Sequence, residues 1–116
     1  PPETAAPTAA ITVSPAPVTS NTSRARAGLT VGDLDVVEIN EAFSSQALAC
    51  IRDLGLDPAT VNLDGGGLAI GHPLGATGAR ITGKAATLLS RTHGRYALAT
   101  QCIGGGQGIA TVLERI

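Results

Sequence analysis

The sequence predicts an α/β fold: a mostly parallel sheet with a terminal antiparallel hairpin and helices on both faces. Three observations lead there. Val36-Val37-Glu38-Ile39 is an apolar, β-branched run that stops at Asn40, and helical spacing begins directly after it. Thr77 to Arg91 carries Ile81, Ala85, Leu88 and Leu89 at helical intervals on one side. Tyr96 to Gln101 and Gly108 to Ile116 are two further strand-like runs, and the glycines between them allow a tight antiparallel return.

The elements follow in chain order. Of residues 1–23, 15 are Pro, Ala or Thr, and this stretch reads as a tail or linker. Ala9 to Val13, with Ile11 and Val13 close together, has the makings of one short strand, which Pro7, Pro15 and Pro17 confine to a sheet edge. Residues 24–116 form the domain proper. A helical turn ends at Gly28, and Asp33 to Asp35 lead into the strand Val36–Ile39. Asn40 suits an N-cap, which opens a helix over Glu41–Leu54 with Phe43, Ala47, Leu48, Ile51 and Leu54 largely on one face and Gly55 at its end. Val61-Asn62-Leu63 reads as a second short strand, followed by a glycine-rich loop around His72. Gly94 closes the helix over Thr77–Arg91.

Composition narrows the function classes. At 116 residues the chain holds one domain at most, and with Phe43 and Tyr96 as its only aromatics, small side chains must fill much of the core. Eight basic against nine acidic residues, without a Lys/Arg cluster, argue against a nucleic-acid partner. Membranes are equally poor partners, since no apolar run approaches the about 20 residues that a spanning helix needs. No leader pattern opens the chain, so a cytoplasmic location is expected. Cys50 and Cys102 have no Cys-x-x-Cys spacing and the two histidines complete no ligand set, so no metal and no bound cofactor are expected. Gly78 to Ala85 imitates a phosphate-binding loop, but Ala85 stands where a hydroxyl must ligate magnesium and the match falls inside a helix.

Chemistry concentrates in three places. Asn40 ends a strand, where its amide caps the next helix or points into a crevice. Glu41 suits the first helical turn as a carboxylate favoured by the dipole, and Phe43 reads as core from its helical position. His72 stands among Gly66, Gly67, Gly71, Pro73, Gly75 and Gly78, a setting that suits a fixed general base or oxyanion donor. Cys102 precedes Gly104, Gly105 and Gly106, whose amides are able to converge on an anion. Cys50 reads as a small helix-interior hydrophobe.

In order and spacing, the stretches DVVEINEAF, GHPLGATGARI and CIGGGQGIA resemble the C-terminal half of the thiolase family, the acetyl-CoA acetyltransferases and 3-ketoacyl-CoA or β-ketoadipyl-CoA thiolases. The resemblance runs from about Ala27 to Ile116 and implies reversible Claisen chemistry on coenzyme A thioesters, which are substrate and not resident cofactor. It implies that Asn40 holds a water at the thioester oxygen and that His72 activates the nucleophile and donates to the same oxygen. Cys102 becomes the acid/base, and Gly104 lends its amide to a second oxyanion hole. Phe43 is the one candidate for substrate contact. The family keeps its nucleophilic cysteine, much of the coenzyme A pocket and its main dimer contacts in the preceding half, so a separate half and self-association are expected partners, and the lone chain is expected to be inactive. Asp64, Gly67 and Thr77 stand where the family usually has Asn, Ala and Ser. The rival expectation is a noncatalytic acyl-CoA-binding or scaffold module with the same fold.

Overall fold

A computed structural model describes residues 8–15 and 24–116. Along the chain the elements are β1 (Thr8–Pro15), β2 (Val36–Ile39), α1 (Ser44–Leu54), a four-residue α2 (Gly67–Ile70), α3 (Thr77–Thr92), β3 (Tyr96–Gly104) and β4 (Gln107–Glu114). A helical turn over residues 24–26 lies between β1 and β2, closed at Gly28 by a 3.0 Å hydrogen bond from its N–H to Ala25 O.

The four strands form one sheet in the order β1-β4-β3-β2. β2 runs parallel to β3, with Val36 opposite Ala97 and Ile39 opposite Thr100, while β4 pairs antiparallel with both β3 and β1. The sheet is therefore mixed, with a single parallel ladder where a mostly parallel one was expected. The terminal hairpin supplies the expected antiparallel ladder, and β1 adds a second on the free edge of β4. The expected short strand at residues 9–13 is thus present over Thr8–Pro15, at an edge as its prolines require. This part of the expected tail belongs to the sheet, and residues 1–7 and 16–23 lie outside the described residues.

The strand expected over Val61–Leu63 shrinks to one parallel bridge, Val61 to Val37. Asn62 takes a left-handed φ of 51°, which ends extension there. Its side chain does the pairing instead: Oδ1 accepts from Ile39 N and Nδ2 donates to Ile39 O, both at 2.9 Å.

Alternation along β2 sends its residues to two layers. On one face Val36 packs with Ala97, Ala99 and Leu113 against Ile81, Ala85, Leu88 and Leu89 of α3, the four residues expected on that helix face. On the other, Val37 and Ile39 pack with Leu98, Ala110 and Val112 against Leu54 and Leu56, with Cys50 and Ile51 beside them. Helices accordingly cover both faces. The α1 stripe is narrower than its sequence suggests: Ala47 and Leu54 are buried, whereas Leu48 and Phe43 are exposed. α3 ends at His93, which adopts the left-handed cap conformation one residue before Gly94. Gly94 serves close packing instead, since a Cβ there would sit 2.6 Å from the Cβ of Asp35.

Gly105 and Gly106 make the β3–β4 turn with φ of 59° and 73°, the doubly left-handed geometry that matches strand twist in a two-residue hairpin. A bulge between Cys102 and Gly104 interrupts the ladder just before it.

Candidate functional site

The end of β2 carries the first site residue. Expected as a helix cap, Asn40 instead stays in line with the strand, its N–H bonded to Thr100 O at 2.9 Å, and is fully buried. Its side chain turns to the loop after α2, where Asn40 Nδ2 lies 3.3 Å from His72 Nε2. α1 therefore begins at Ser44 with Phe43 at its N-cap position, because the residues before it are engaged elsewhere. Glu41 is one of these. Rather than serving a first helical turn, its carboxylate accepts from Asn62 Nδ2 at 2.9 Å and from Leu68 N at 3.0 Å.

The imidazole is held from its other side too. His72 Nδ1 lies 2.7 Å from Thr77 Oγ1, and Thr77 gives its only hydroxyl hydrogen to Pro73 O at 2.9 Å. The hydroxyl can then only accept from the ring, so Nδ1 carries the proton. Nε2 keeps its lone pair, directed at the Asn40 amide. A ring held this way has Nε2 fixed in place, where it is able to act as a base.

His72 opens on a cleft of about 590 Å³ lined also by Ala42, Phe43, Leu74, Gln101, Cys102, Ile103 and Gly104. The five residues expected at the site, Asn40, Phe43, His72, Cys102 and Gly104, thus gather at one end of the sheet: four line the cleft, and the buried Asn40 contacts one of them, His72. Phe43 is not core, being 70% exposed, and with Leu74 and Ile103 it gives the cleft an apolar wall. Cys102 is exposed, whereas Cys50 is half-buried under a 3.6 Å contact from Gln46 Nε2. Of the three glycines expected to cradle an anion, Gly104 alone reaches the cleft, and Gly105 and Gly106 serve the turn.

Residues 2–115 match the family pattern described as thiolase, C-terminal domain. The chain belongs to the thiolase family. Among curated thiolases it is 59% identical over 107 residues to the beta-ketothiolase BktB of Cupriavidus necator, covering 92% of this chain and 27% of that one. It is 56% identical over 93 residues to a beta-ketoadipyl-CoA thiolase of Acinetobacter baylyi, covering 78% and 23%. The chain spans about a quarter of the length of these relatives. Its fold superposes on human mitochondrial 3-ketoacyl-CoA thiolase with a TM-score of 0.87 at 43% identity, over 90% of this chain and 29% of that one. A second crystal structure of that human thiolase, in complex with CoA, gives 0.86 at 41%, over 91% and 29%.

Two residues before Asn40 on β2 lies a buried carboxyl. Glu38 points to the α3 face with no solvent exposure, and Lys84 Nζ stands 3.8 Å from its Oε1 while bonding Gly65 O at 2.6 Å. Burial pushes the Glu38 carboxyl above the usual glutamate range, opposed by the nearby Lys84 and Arg80 charges. At the surface the Arg91 guanidinium grips Asp64 with two hydrogen bonds, at 2.7 and 3.0 Å, and holds that carboxyl below its usual range. Among the described residues no helix is long and apolar enough to cross a membrane, and no three His, Cys, Asp or Glu side chains gather as a metal site.

Thr77, Glu41 and Asn62 are the neighbours of the site that sequence reasoning assigned no part in it. Thr77 had a signal, a hydroxyl at the start of a helix one turn after a loop histidine. Glu41 and Asn62 had none, since their contact spans 21 residues and depends on Asn62 leaving the strand.

Proposed function

We propose that this chain supplies the base and oxyanion-binding part of a coenzyme A acyltransferase site, working with a preceding half that contributes the nucleophilic cysteine. The observation that carries the reading is the Asn40–His72 pair, with its tautomer fixed by Thr77, opening on the cleft that also holds Cys102.

The chemistry follows from that pair. His72 Nε2, free of a proton, takes one from a thiol brought to the cleft and thereby makes the nucleophile. Once protonated, Nε2–H and the Asn40 Nδ2–H are two donors 3.3 Å apart with no mutual acceptor. A single thioester oxygen, reached directly or through a water on Asn40, satisfies both as negative charge develops on it. Cys102, exposed across the cleft, moves the α-proton or protonates the departing thiolate, and Gly104 donates its amide to the second oxyanion. Cys50 is unsuited to nucleophilic attack, being half-buried against the Leu54 and Leu56 core on α1. Phe43, Leu74 and Ile103 suit the apolar part of an acyl-CoA. Leu68 and Ile70, close before His72 in the chain, are also exposed, which suits packing against the preceding half or a second copy.

Mixing tests the reading. The chain alone should not cleave a 3-ketoacyl-CoA with coenzyme A, a separately expressed preceding half should restore turnover, and His72→Ala or Cys102→Ala should then abolish most of it. Turnover by the chain alone, or a reconstituted pair indifferent to both substitutions, would favour a binding or scaffold module instead.

A further inference from the structure

Asn40 and His72 lie 32 positions apart and meet at 3.3 Å, so something must set the distance between the segments that bear them. One carboxylate touches both. Glu41 Oε1 accepts from Asn62 Nδ2, and Asn62 uses the rest of its amide on the N–H and C=O of Ile39. The residues on either side of Asn40 are thereby tied to one side chain. Glu41 Oε2 accepts from the N–H of Leu68, at the start of α2. That helix is a single turn closed by Gly71 N to Gly67 O at 2.8 Å, and His72 follows immediately, so fixing Leu68 fixes a short stiff arm that ends at the imidazole.

Gly66 shows how closely the carboxylate is fitted. A Cβ built there would overlap the Glu41 carboxyl carbon and come within 2.7 Å of Asn62 Nδ2. Its φ of −117° suits any residue, so the missing side chain answers to the space Glu41 occupies and not to backbone strain.

We infer that Glu41, braced by Asn62, is a positioning residue that holds the Asn40 amide against His72 Nε2. It touches no substrate. Both oxygens must accept, because Asn62 Nδ2 and Leu68 N are both donors. A glutamine in its place keeps the shape but offers one acceptor and a second donor, and so releases one of the two segments. The inference rests on reading Asn40 and His72 as the working pair, yet its test needs neither substrate nor turnover.

The test is NMR on the isotope-labelled chain, read at the His72 ring nitrogens and at cross-relaxation between the Asn40 side-chain amide protons and the His72 ring. In Glu41→Gln the cross-peaks should vanish and the Nε2 resonance should move as its hydrogen bond is lost. Gly66→Ala, which displaces the carboxylate without removing it, should do the same, and adding it to Glu41→Ala should change nothing further. Asp33→Ala, which removes the hydrogen bonds to Thr30 just before β2, controls for a general loss of stability. Retention of the cross-peaks and the Nε2 position in Glu41→Gln or Gly66→Ala, or their equal loss in Asp33→Ala, would overturn the inference. If the reconstituted enzyme tolerates His72→Ala, the catalytic reading fails, while the ring signature still decides whether Glu41 holds the pair.

Discussion

Thr77 Oγ1 accepts from His72 Nδ1 at 2.7 Å while donating to Pro73 O, and this pair of contacts decides which ring nitrogen is free to act. The consequence is local and testable. In Thr77→Val the ring loses its acceptor, but Pro73 O keeps partners in the Thr77 and Ala76 N–H groups, at 3.0 and 2.9 Å, so the loop should persist. One neutral hydrogen bond is worth about 1 kcal/mol, so activity of the reconstituted enzyme should fall about fivefold to tenfold, with Thr77→Ser close to wild type. Long-range proton–nitrogen spectra should show part of the Nδ1–H form replaced by the other tautomer. An unchanged tautomer in the valine variant would refute the assignment.

How far this site could be read from sequence depended on the range of each interaction. Helix α3 and strands β2, β3 and β4 were legible because their apolar periodicities report local geometry, and Ile81, Ala85, Leu88 and Leu89 all bury as that period requires. The start of α1 was not, because Asn40 and Glu41, good first-turn residues in isolation, are drawn out of the helix by His72, Asn62 and Leu68. Val61–Leu63 failed as a strand for a similar reason: Asn62 meets the Ile39 peptide with its side chain, a choice that no local pattern announces. Phe43 misled in the opposite direction, since an aromatic normally marks a core, whereas here it walls the cleft. The clustering of Asn40, His72 and Cys102 was legible from where they fall, each after a strand or in a glycine-rich turn, although the contacts themselves span tens of residues.

The α3 face should carry much of the stability. Leu88 is 1% exposed, between β2 and β3 on one side and its own helix on the other. Leu88→Ala should cost about 2 to 5 kcal/mol, lost transfer energy plus a cavity that a close-packed α/β layer cannot collapse. Denaturant titration should show an earlier midpoint with an unchanged slope.

Cys102 and Cys50 differ in access, which makes them internal standards for each other. Cys102 lies exposed in the cleft beside the bulge, and Cys50 is half-buried in α1. With a bulky maleimide, Cys102 should be modified first, as peptide mapping by mass spectrometry would show. An acyl-CoA that occupies the cleft should slow modification of Cys102 and leave Cys50 unaffected. Equal rates at the two sites would contradict the exposure of Cys102.

Glu38 makes stability depend on pH in a direction opposite to that of a surface ion pair. Burial raises its carboxyl in the folded state, more than Lys84 and Arg80 lower it, so the folded protein holds this proton over a range where the unfolded chain has released it. Below the usual glutamate range both states are protonated and Glu38 has no effect on the balance. As pH rises from there to the elevated folded value, the unfolded state binds fewer protons and stability falls, by at most about 1.4 kcal/mol per pH unit for one group. Above that value the loss is complete and constant. Glu38→Gln keeps the shape and removes the titration, so its stability relative to wild type should climb through the same window and then level off. Other titrating groups are common to both proteins and cancel in the difference. Paired denaturation curves from acid to neutral pH measure this directly, and a difference that falls with pH would mean that Lys84 and Arg80 outweigh burial at this carboxylate.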